Sequence, residues 1–213
     1  MIAVIDYGMG NLRSVEKGFL KVGIDVKVTN RPEDIERADA VVLPGVGAFR
    51  DCMKELTDLR LTDAVIGAVQ QGKPYLGICL GLQVLFSESE EFGRCSGLDI
   101  FRGRVVKFDF GTGDGERGRP DLKIPQMGWN QLNIKDSNPL FRGIPDKSYF
   151  YFVHSFYVVP DDKSIVAATT DYGVEFTSAV WKDNVYAVQF HPEKSQALGL
   201  QLLRNFGNIV SGG

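Results

Sequence analysis

The chain has 213 residues, enough for one sizeable core, and we expect a single domain over residues 1–213. Hydrophobic residues make up 44% and charged residues 24%, as in a soluble globular protein. A net charge of −3 without a basic run argues against nucleic acid or a membrane surface as partner. We find neither an apolar run of membrane-spanning length nor the basic start of a signal peptide.

The cysteines and glycines exclude several kinds of site. Three cysteines, at positions 52, 79 and 95, fit neither a disulfide framework nor a zinc site, so a reducing cytoplasm is the expected location. A dinucleotide fingerprint that starts at Gly8 would need glycine where Arg13 stands. Neither a P-loop nor an H-E-x-x-H motif occurs, and we expect no metal and no cofactor.

The first half of the chain alternates short apolar strands with helical patterns. Strands are predicted at 2–6, 25–29, 40–44 and 74–78, and helices at 11–23, near 49–57, at 60–71 and after Cys79. Continuous apolar strands separated by helices indicate a mostly parallel sheet covered on both faces. In such a sheet, ligands bind at the carboxyl ends of the strands.

The second half predicts a succession of strands with short, turn-rich connections, which favour antiparallel pairing. They are expected at 104–110, 130–134, 148–159, 164–170, 176–183 and 185–190, followed by a helix at 196–210. The Gly-rich, charged segment 111–122 is predicted to be a mobile loop rather than a linker between domains.

Cys79 lies between two glycines in the frame "GICLG", after a predicted strand and before a helical pattern. This arrangement has the form of a nucleophile elbow, a sharp turn that exposes its central side chain. The start of a helix favours a thiolate, and the next backbone N–H can bind an oxyanion. A buried structural cysteine with glycines that ease packing is the alternative, and this segment alone does not decide between them.

A cysteine nucleophile needs a base, and the chain has two histidines. His191 follows the strand "VYAVQF", and Glu193 could orient it and stabilise its charged form. A surface turn would explain the same residues. His154, within "FYFVHSFYVV", is interpreted equally well as a histidine at the core edge or as a substrate contact.

Three ordered segments, "PGVGAF" (44–49), "GICLGLQVLF" (77–86) and "VQFHPEKS" (188–195), resemble the class I, or triad, glutamine amidotransferases. The resemblance extends over essentially the whole chain. It implies an α/β, flavodoxin-like fold with a central, mostly parallel sheet flanked by helices and additional antiparallel strands in the C-terminal half. Within the class, "DYGMGNLRSV", "PQMGWNQL", "YFVHSFY" and "HPEKSQ" are most similar to the glutaminase subunits of imidazole glycerol phosphate synthases.

The resemblance also implies roles for residues. Cys79 would be the nucleophile towards the amide of L-glutamine, His191 the proton carrier and Glu193 its orienter. The oxyanion would be held by backbone N–H groups of Leu80 and, after a peptide flip, Val46. Gly45 and Gly47 would permit that flip. The substrate contacts would be Gln83, Glu91, His154 and Ser155.

The partner implied by the resemblance is a cyclase subunit with a (β/α)8 barrel, which would receive the ammonia in a heterodimer. Asn11, Trp129 and Lys194 would lie at that interface. A tryptophan in a polar, Gly-flanked segment suits an interface anchor, although composition fits a core tryptophan equally well.

Four other interpretations stay open on the sequence. The chain could be the amidotransferase of anthranilate or aminodeoxychorismate synthesis, or a paralogue that supplies ammonia for a polysaccharide sugar. It could also be a catalytically silent regulatory subunit or a cysteine peptidase on a related fold. A silent subunit is expected to lack part of the triad, and here all three residues are present.

Overall fold

The computed structural model describes residues 1–111, 122–135 and 138–212. Most of the segment predicted as a mobile loop, residues 112–121, lies outside these described residues, so that expectation stays a prediction.

Strands and helices alternate in the N-terminal half, as the sequence predicts. The elements are β1 (Ile2–Ile5), α1 (Leu12–Lys21), β2 (Val26–Thr29), α2 (Pro32–Arg37), β3 (Ala40–Gly45), α3 (Phe49–Asp58), α4 (Leu61–Gln70), β4 (Tyr75–Cys79) and α5 (Leu80–Gln83). Helix α2 was not predicted, although Pro32 at its first position is a favourable helix start. Helix α5 has only four residues, because the apolar run after it soon enters a strand.

The C-terminal half consists mainly of strands. They are β5 (Phe86–Ser89), β6 (Cys95–Ser96), β7 (Phe101–Lys107), β8 (Gln126–Gln131), β9 (Asn133–Ile134), β10 (Tyr149–His154), β11 (Phe156–Pro160), β12 (Val166–Asp171), β13 (Glu175–Lys182) and β14 (Val185–Val188), followed by helix α6 (Gln196–Val210). Strands β5 and β6 were not predicted. The closing helix has the predicted bounds.

Two predicted strands are each divided in the structure. The segment 148–159 becomes β10 and β11, separated at Ser155, because β10 pairs with β8 in a two-stranded sheet while β11 pairs with β7 and β13 in the main sheet. The segment 130–134 is divided at the buried Leu132. The antiparallel expectation is right for most pairs, but β14 is parallel to β4, and β5 is parallel to β7.

The main sheet has the strand order β2-β1-β3-β4-β14-β13-β11-β7-β5-β6, with β12 and β9 paired beside β13. From β2 to β14 the neighbouring strands are parallel. Gly45 at the end of β3 is opposite Cys79, and Val188 at the end of β14 is opposite Ile78. The carboxyl ends of β3, β4 and β14 therefore meet at one edge, which brings together three segments that are distant in sequence.

Helices cover both faces of the parallel part. Helices α1 and α6 pack together on one face, where the rings of Phe19 and Phe206 are 6.4 Å apart. Helices α2, α3 and α4 cover the other face and bury Ile35, Leu56 and Val65. The predicted α/β class is confirmed. Among the described helices, none combines the length and the apolar character that crossing a membrane requires.

Candidate active site

Cys79 has an unusual backbone conformation, with φ of 56° and ψ of −106°. A positive φ is uncommon for a residue with a side chain, and it occurs where surrounding structure holds the chain in a turn. Here the chain changes direction between β4 and α5 within one residue. The predicted elbow geometry is thus present at Cys79, whose residue surface is 6% exposed.

The two glycines of the elbow allow strand and helix to approach closely. A Cβ atom on Gly81 would lie 2.9 Å from the carbonyl carbon of Leu43 and closer still to its oxygen. A Cβ on Gly77 would lie 2.7 Å from the carbonyl carbon of Gly81, again closer to the oxygen. The hydroxyl of Tyr75 also donates a hydrogen bond of 2.9 Å to Gly81 O. Any larger side chain at either position would separate α5 from the sheet.

His191 and Glu193 form a buried pair beside the elbow. His191 Nδ1 lies 2.9 Å from Glu193 Oε1, and the two side chains are 2% and 1% exposed. Backbone bonds hold this segment, since His191 N donates to Tyr151 O at 2.9 Å. Ser195 Oγ donates to His191 O at 2.6 Å. The second ring nitrogen, Nε2, has no hydrogen-bond partner among the described residues.

The surroundings of His191 favour its protonated form. Burial opposes a charged imidazolium, but the neighbouring Cys79 and the Glu193 carboxylate outweigh it and raise the pKa of His191 to about 10. Cys79 contributes to this shift through both its charge and hydrogen bonding, although Nε2 has no partner with full hydrogen-bond geometry among the described residues.

The "PGVG" segment lies directly beside the elbow. A Cβ on Gly45 would be 2.8 Å from Leu80 Cβ, so the end of β3 touches the residue that follows the nucleophile. Gly47 has a φ of 94°, a conformation that glycine adopts without strain. The backbone amides of Val46 and Leu80 therefore belong to the same small region.

A cavity of about 330 Å³ opens next to Cys79. This volume is near the lower end of the roughly 300–1,000 Å³ common for small-molecule sites, and it suits a small ligand. The cavity is lined by residues predicted to bind the oxyanion or the substrate, namely Val46, Gly47, Leu80, Gln83, Glu91, His154 and Ser155. His191 and Glu193 are not among the residues that line this cavity.

Two of the predicted substrate contacts have additional hydrogen bonds. Glu91 Oε2 accepts a bond of 2.7 Å from Phe49 N, so this carboxylate also holds the first turn of α3. His154 Nδ1 bonds Phe156 O at 2.8 Å, and its Nε2 has no partner among the described residues. Burial lowers the pKa of His154 to about 4, although the bond to Phe156 opposes the shift. His154 is therefore a neutral residue at physiological pH.

Two of the three predicted interface residues, Trp129 and Lys194, both lie against Tyr151. Asn11 precedes α1, and Trp129 on β8 is 42% exposed and packs edge-on against Tyr151, with ring centroids 6.0 Å apart. Lys194 Nζ lies 5.8 Å from the centre of the Tyr151 ring. Trp129 is thus a surface residue rather than a core tryptophan.

Gln189 is a site residue that the sequence analysis missed. It lies between β14 and His191, is fully buried, and its Nε2 is 3.6 Å from Cys79 Sγ. The sequence did contain one indication of its role, since Gln189 is a polar residue within the otherwise apolar run "VYAVQF". Among the residues that have described positions, we find no group of three or more His, Cys, Asp or Glu side chains placed to hold a metal.

Comparisons with known proteins show the family and the fold to which the chain is similar. The family model "Glutamine amidotransferase class-I" matches residues 3–209. The chain is 57% identical to the imidazole glycerol phosphate synthase subunit HisH of Syntrophotalea carbinolica, over 98% of this chain and 100% of the relative. It is 52% identical to the same-named subunit of Geobacter sulfurreducens, over 98% of each chain. A crystal structure of a glutamine amidotransferase superposes with a TM-score of 0.71 at 20% identity, over 100% of both chains, and supports the fold.

Proposed function

The chain belongs to the class I glutamine amidotransferases, and from this membership we propose that it is the glutaminase subunit of an imidazole glycerol phosphate synthase. It releases ammonia from L-glutamine for histidine biosynthesis. The observation that carries the assignment of chemistry is the buried His191–Glu193 pair beside the strained Cys79 elbow. The assignment to histidine biosynthesis rests on the similarity to named subunits over nearly the full chain.

In the first half of the proposed reaction, the Cys79 thiolate attacks the side-chain amide carbon of glutamine. A C–S bond forms and the carbonyl electron pair moves to the oxygen, which the N–H groups of Leu80 and Val46 stabilise. The tetrahedral intermediate then collapses. The C–N bond breaks, ammonia takes a proton from His191, and a γ-glutamyl thioester remains on Cys79.

In the second half, His191 takes a proton from water as the water oxygen attacks the thioester carbon. The C–S bond breaks, glutamate leaves, and the sulfur returns to its anionic form. Glu193 keeps Nδ1 of His191 occupied, so Nε2 remains the nitrogen that exchanges protons throughout. The raised pKa of His191 supports this role, because protonated imidazole is available for the leaving ammonia.

The proposed substrate site uses the cavity beside Cys79. Glu91 would receive the α-ammonium group, since its carboxylate has the opposite charge and lines the cavity. Gln83 and the His154–Ser155 segment would contact the remaining polar groups of glutamine. Both amide hydrogens of Gln83 already have acceptors, which are Phe156 O at 3.0 Å and Gln189 Oε1 at 3.1 Å. Its oxygen is thus the atom we expect to face the substrate.

The partner in this proposal is a cyclase subunit with a (β/α)8 barrel, and ammonia passes to it without entering bulk water. Asn11, Trp129 and Lys194 would form part of the contact. Trp129 supports this assignment, because a half-exposed tryptophan is a common anchor at protein interfaces.

The proposed location is the cytoplasm, whose reducing conditions keep a free thiol such as Cys79 active. We also retain one domain for residues 1–213, which the main sheet supports because both halves contribute strands.

The Cys79→Ser variant tests the assignment. In complex with the cyclase, it should lose glutamine-dependent activity and retain activity with added ammonium, because the cyclase site is unchanged. The matched control is Cys95→Ser, a partly exposed cysteine with no glycine frame, and it should support both activities. Comparable glutamine hydrolysis by Cys79→Ser would show that another group is the nucleophile.

We further propose that the Val46 peptide is a gate that completes the oxyanion site only in the liganded complex. Loss of one oxyanion donor lowers rates by roughly 10²–10³, which sets the size of the gate. Glutamine hydrolysis should be measured for the isolated chain, for the complex, and for the complex with its nucleotide ligand. Three equal rates would exclude a gate at this peptide.

A further inference from the structure

Gln189 occupies a position between the nucleophile and a predicted substrate residue. It follows β14, whose parallel pairing with β4 places it next to Cys79. Its side chain makes two contacts, one from Nε2 to Cys79 Sγ at 3.6 Å and one from Gln83 to its Oε1 at 3.1 Å. Because Gln189 is fully buried, water does not compete for these bonds.

The orientation of the Gln189 amide follows from the polarity of its neighbours. Phe156 O can only accept, so it requires the nitrogen of the Gln83 amide on its side. The second N–H of Gln83 then points to Gln189 and requires an oxygen there. Gln189 must consequently present its nitrogen, a donor, to the sulfur. A reversed amide would set a donor against a donor at Gln83 and an oxygen against the sulfur.

We propose that Gln189 donates a hydrogen bond to the anionic sulfur of Cys79, stabilises its negative charge and holds it in the attacking position. This inference rests on the proposed function and adds a residue to it. Gln189 exchanges no proton. It acts when the sulfur carries charge, which is before attack on glutamine and again when the thioester breaks.

The chain of amides also connects the sulfur to the substrate site. Gln83 is fixed by Phe156 and in turn fixes Gln189, so a ligand on the Gln83 oxygen contacts the same chain that ends at Cys79. The second neighbour of the sulfur is Val153 O at 4.0 Å, an acceptor suited to the neutral thiol. Cys79 therefore has a donor for its charged form and an acceptor for its neutral form.

The test is the rate of Cys79 alkylation by iodoacetamide as a function of pH in the isolated full-length chain. Peptide mass spectrometry separates Cys79 from the two other cysteines. The Gln189→Met variant keeps the length of the side chain and removes the donor. A hydrogen bond to a charged group typically stabilises that group by enough to change an equilibrium about tenfold. We therefore expect the rate of Cys79 alkylation at pH 7 to fall by about tenfold in Gln189→Met. The pH profile should move upward by about one unit.

Ser178→Ala is the matched control. Ser178 is fully buried on β13, its carbonyl accepts from Gln189 N at 2.8 Å, and its hydroxyl has no partner among the described residues. This variant changes a buried side chain next to Gln189 and leaves the amide chain intact, so alkylation should be unchanged. An unchanged profile for Gln189→Met, or equal slowing by Ser178→Ala, would overturn the proposal.

Two further measurements test the same hydrogen bond if Gln189→Met fails to fold. Gln189→Glu keeps the shape of the side chain but places an oxygen towards the sulfur. In this variant, alkylation of Cys79 should slow by at least as much as in Gln189→Met. In the unaltered chain, the side-chain amide protons of Gln189 should shift with the same pH midpoint as the alkylation rate. Absence of that NMR shift would refute the hydrogen bond. Neither readout needs glutamine or a partner, so a chain that fails as a glutaminase can still pass this test.

Discussion

Substitution of Gly81 with alanine would place a methyl group against the backbone of Leu43. The new Cβ would lie 2.9 Å from the Leu43 carbonyl carbon, whereas ordinary contacts begin at 3.4 Å, so α5 must move by at least 0.5 Å. The oxygen of Leu43 is closer still and demands more. Gly81 has no positive φ, which means that the expected effect is steric and not conformational.

The magnitude follows from this displacement. Overpacking of a tight backbone contact typically costs about 1–3 kcal/mol of stability. A shift of about 1 Å in a catalytic group lowers rates by about 100-fold. We therefore expect Gly81→Ala to unfold at lower urea concentration and to lose about 100-fold in glutamine-dependent activity in the complex. Ammonium-dependent activity should be retained.

Gly67→Ala is the control for this substitution. Gly67 lies within α4, and a Cβ there would have no atom within 4 Å. Alanine in a helix interior is favoured over glycine by about 1 kcal/mol, so this variant should be more stable and equally active. If Gly81→Ala matched the parent chain in both urea midpoint and glutamine turnover, the close approach of α5 and β3 would have no importance for the site.

Three further predictions concern the proton carrier, the second histidine and the surface. Glu193→Gln removes the charge that helps to raise the pKa of His191, and glutamine turnover by the complex should fall by at least about 100-fold while ammonium-dependent turnover persists. Because the folded-state pKa of His154 is lowered from 6.5 to about 4, the fold loses stability as pH falls through that window. In urea unfolding, His154→Gln should reduce the stability difference between pH 7 and pH 5 by about 2 kcal/mol, and an unchanged difference would contradict the shift. Trp129→Ala should weaken cyclase binding by roughly 30-fold in calorimetry, whereas Leu20→Ala, an exposed residue at the far end of α1, should leave affinity unchanged.

The local features of the candidate site were predictable from the sequence. Gly77 and Gly81 indicated a tight turn around Cys79, because only residues without a side chain permit that approach. The strand before His191 was recognisable as a continuous apolar run. Such features depend on a few consecutive residues, and the same holds for the alternation of strands and helices in the first half. Helix α2 was missed because its six residues are too short for a periodic pattern.

Pairing between distant strands was decided by the tertiary structure. Nothing in residues 185–188 indicated that β14 would join the parallel part of the sheet beside β4, yet this pairing brings His191 next to Cys79. The division at Ser155 likewise follows from pairing with two different sheets, which the continuous apolar pattern of 148–159 does not reveal.

The sequence by itself supplied the candidate reactive side chains, and the tertiary structure determined their burial, their neighbours and their orientation. Residue type and spacing made Cys79, His191 and Glu193 candidates, and the resemblance to the class I glutamine amidotransferases implied their roles as nucleophile, base and orienter. The raised pKa of His191 requires burial and two neighbours from different parts of the chain. The donor that Gln189 presents to the sulfur is fixed by an amide chain through Gln83 and Phe156. Such orientation depends on atoms that only folding brings within bonding distance.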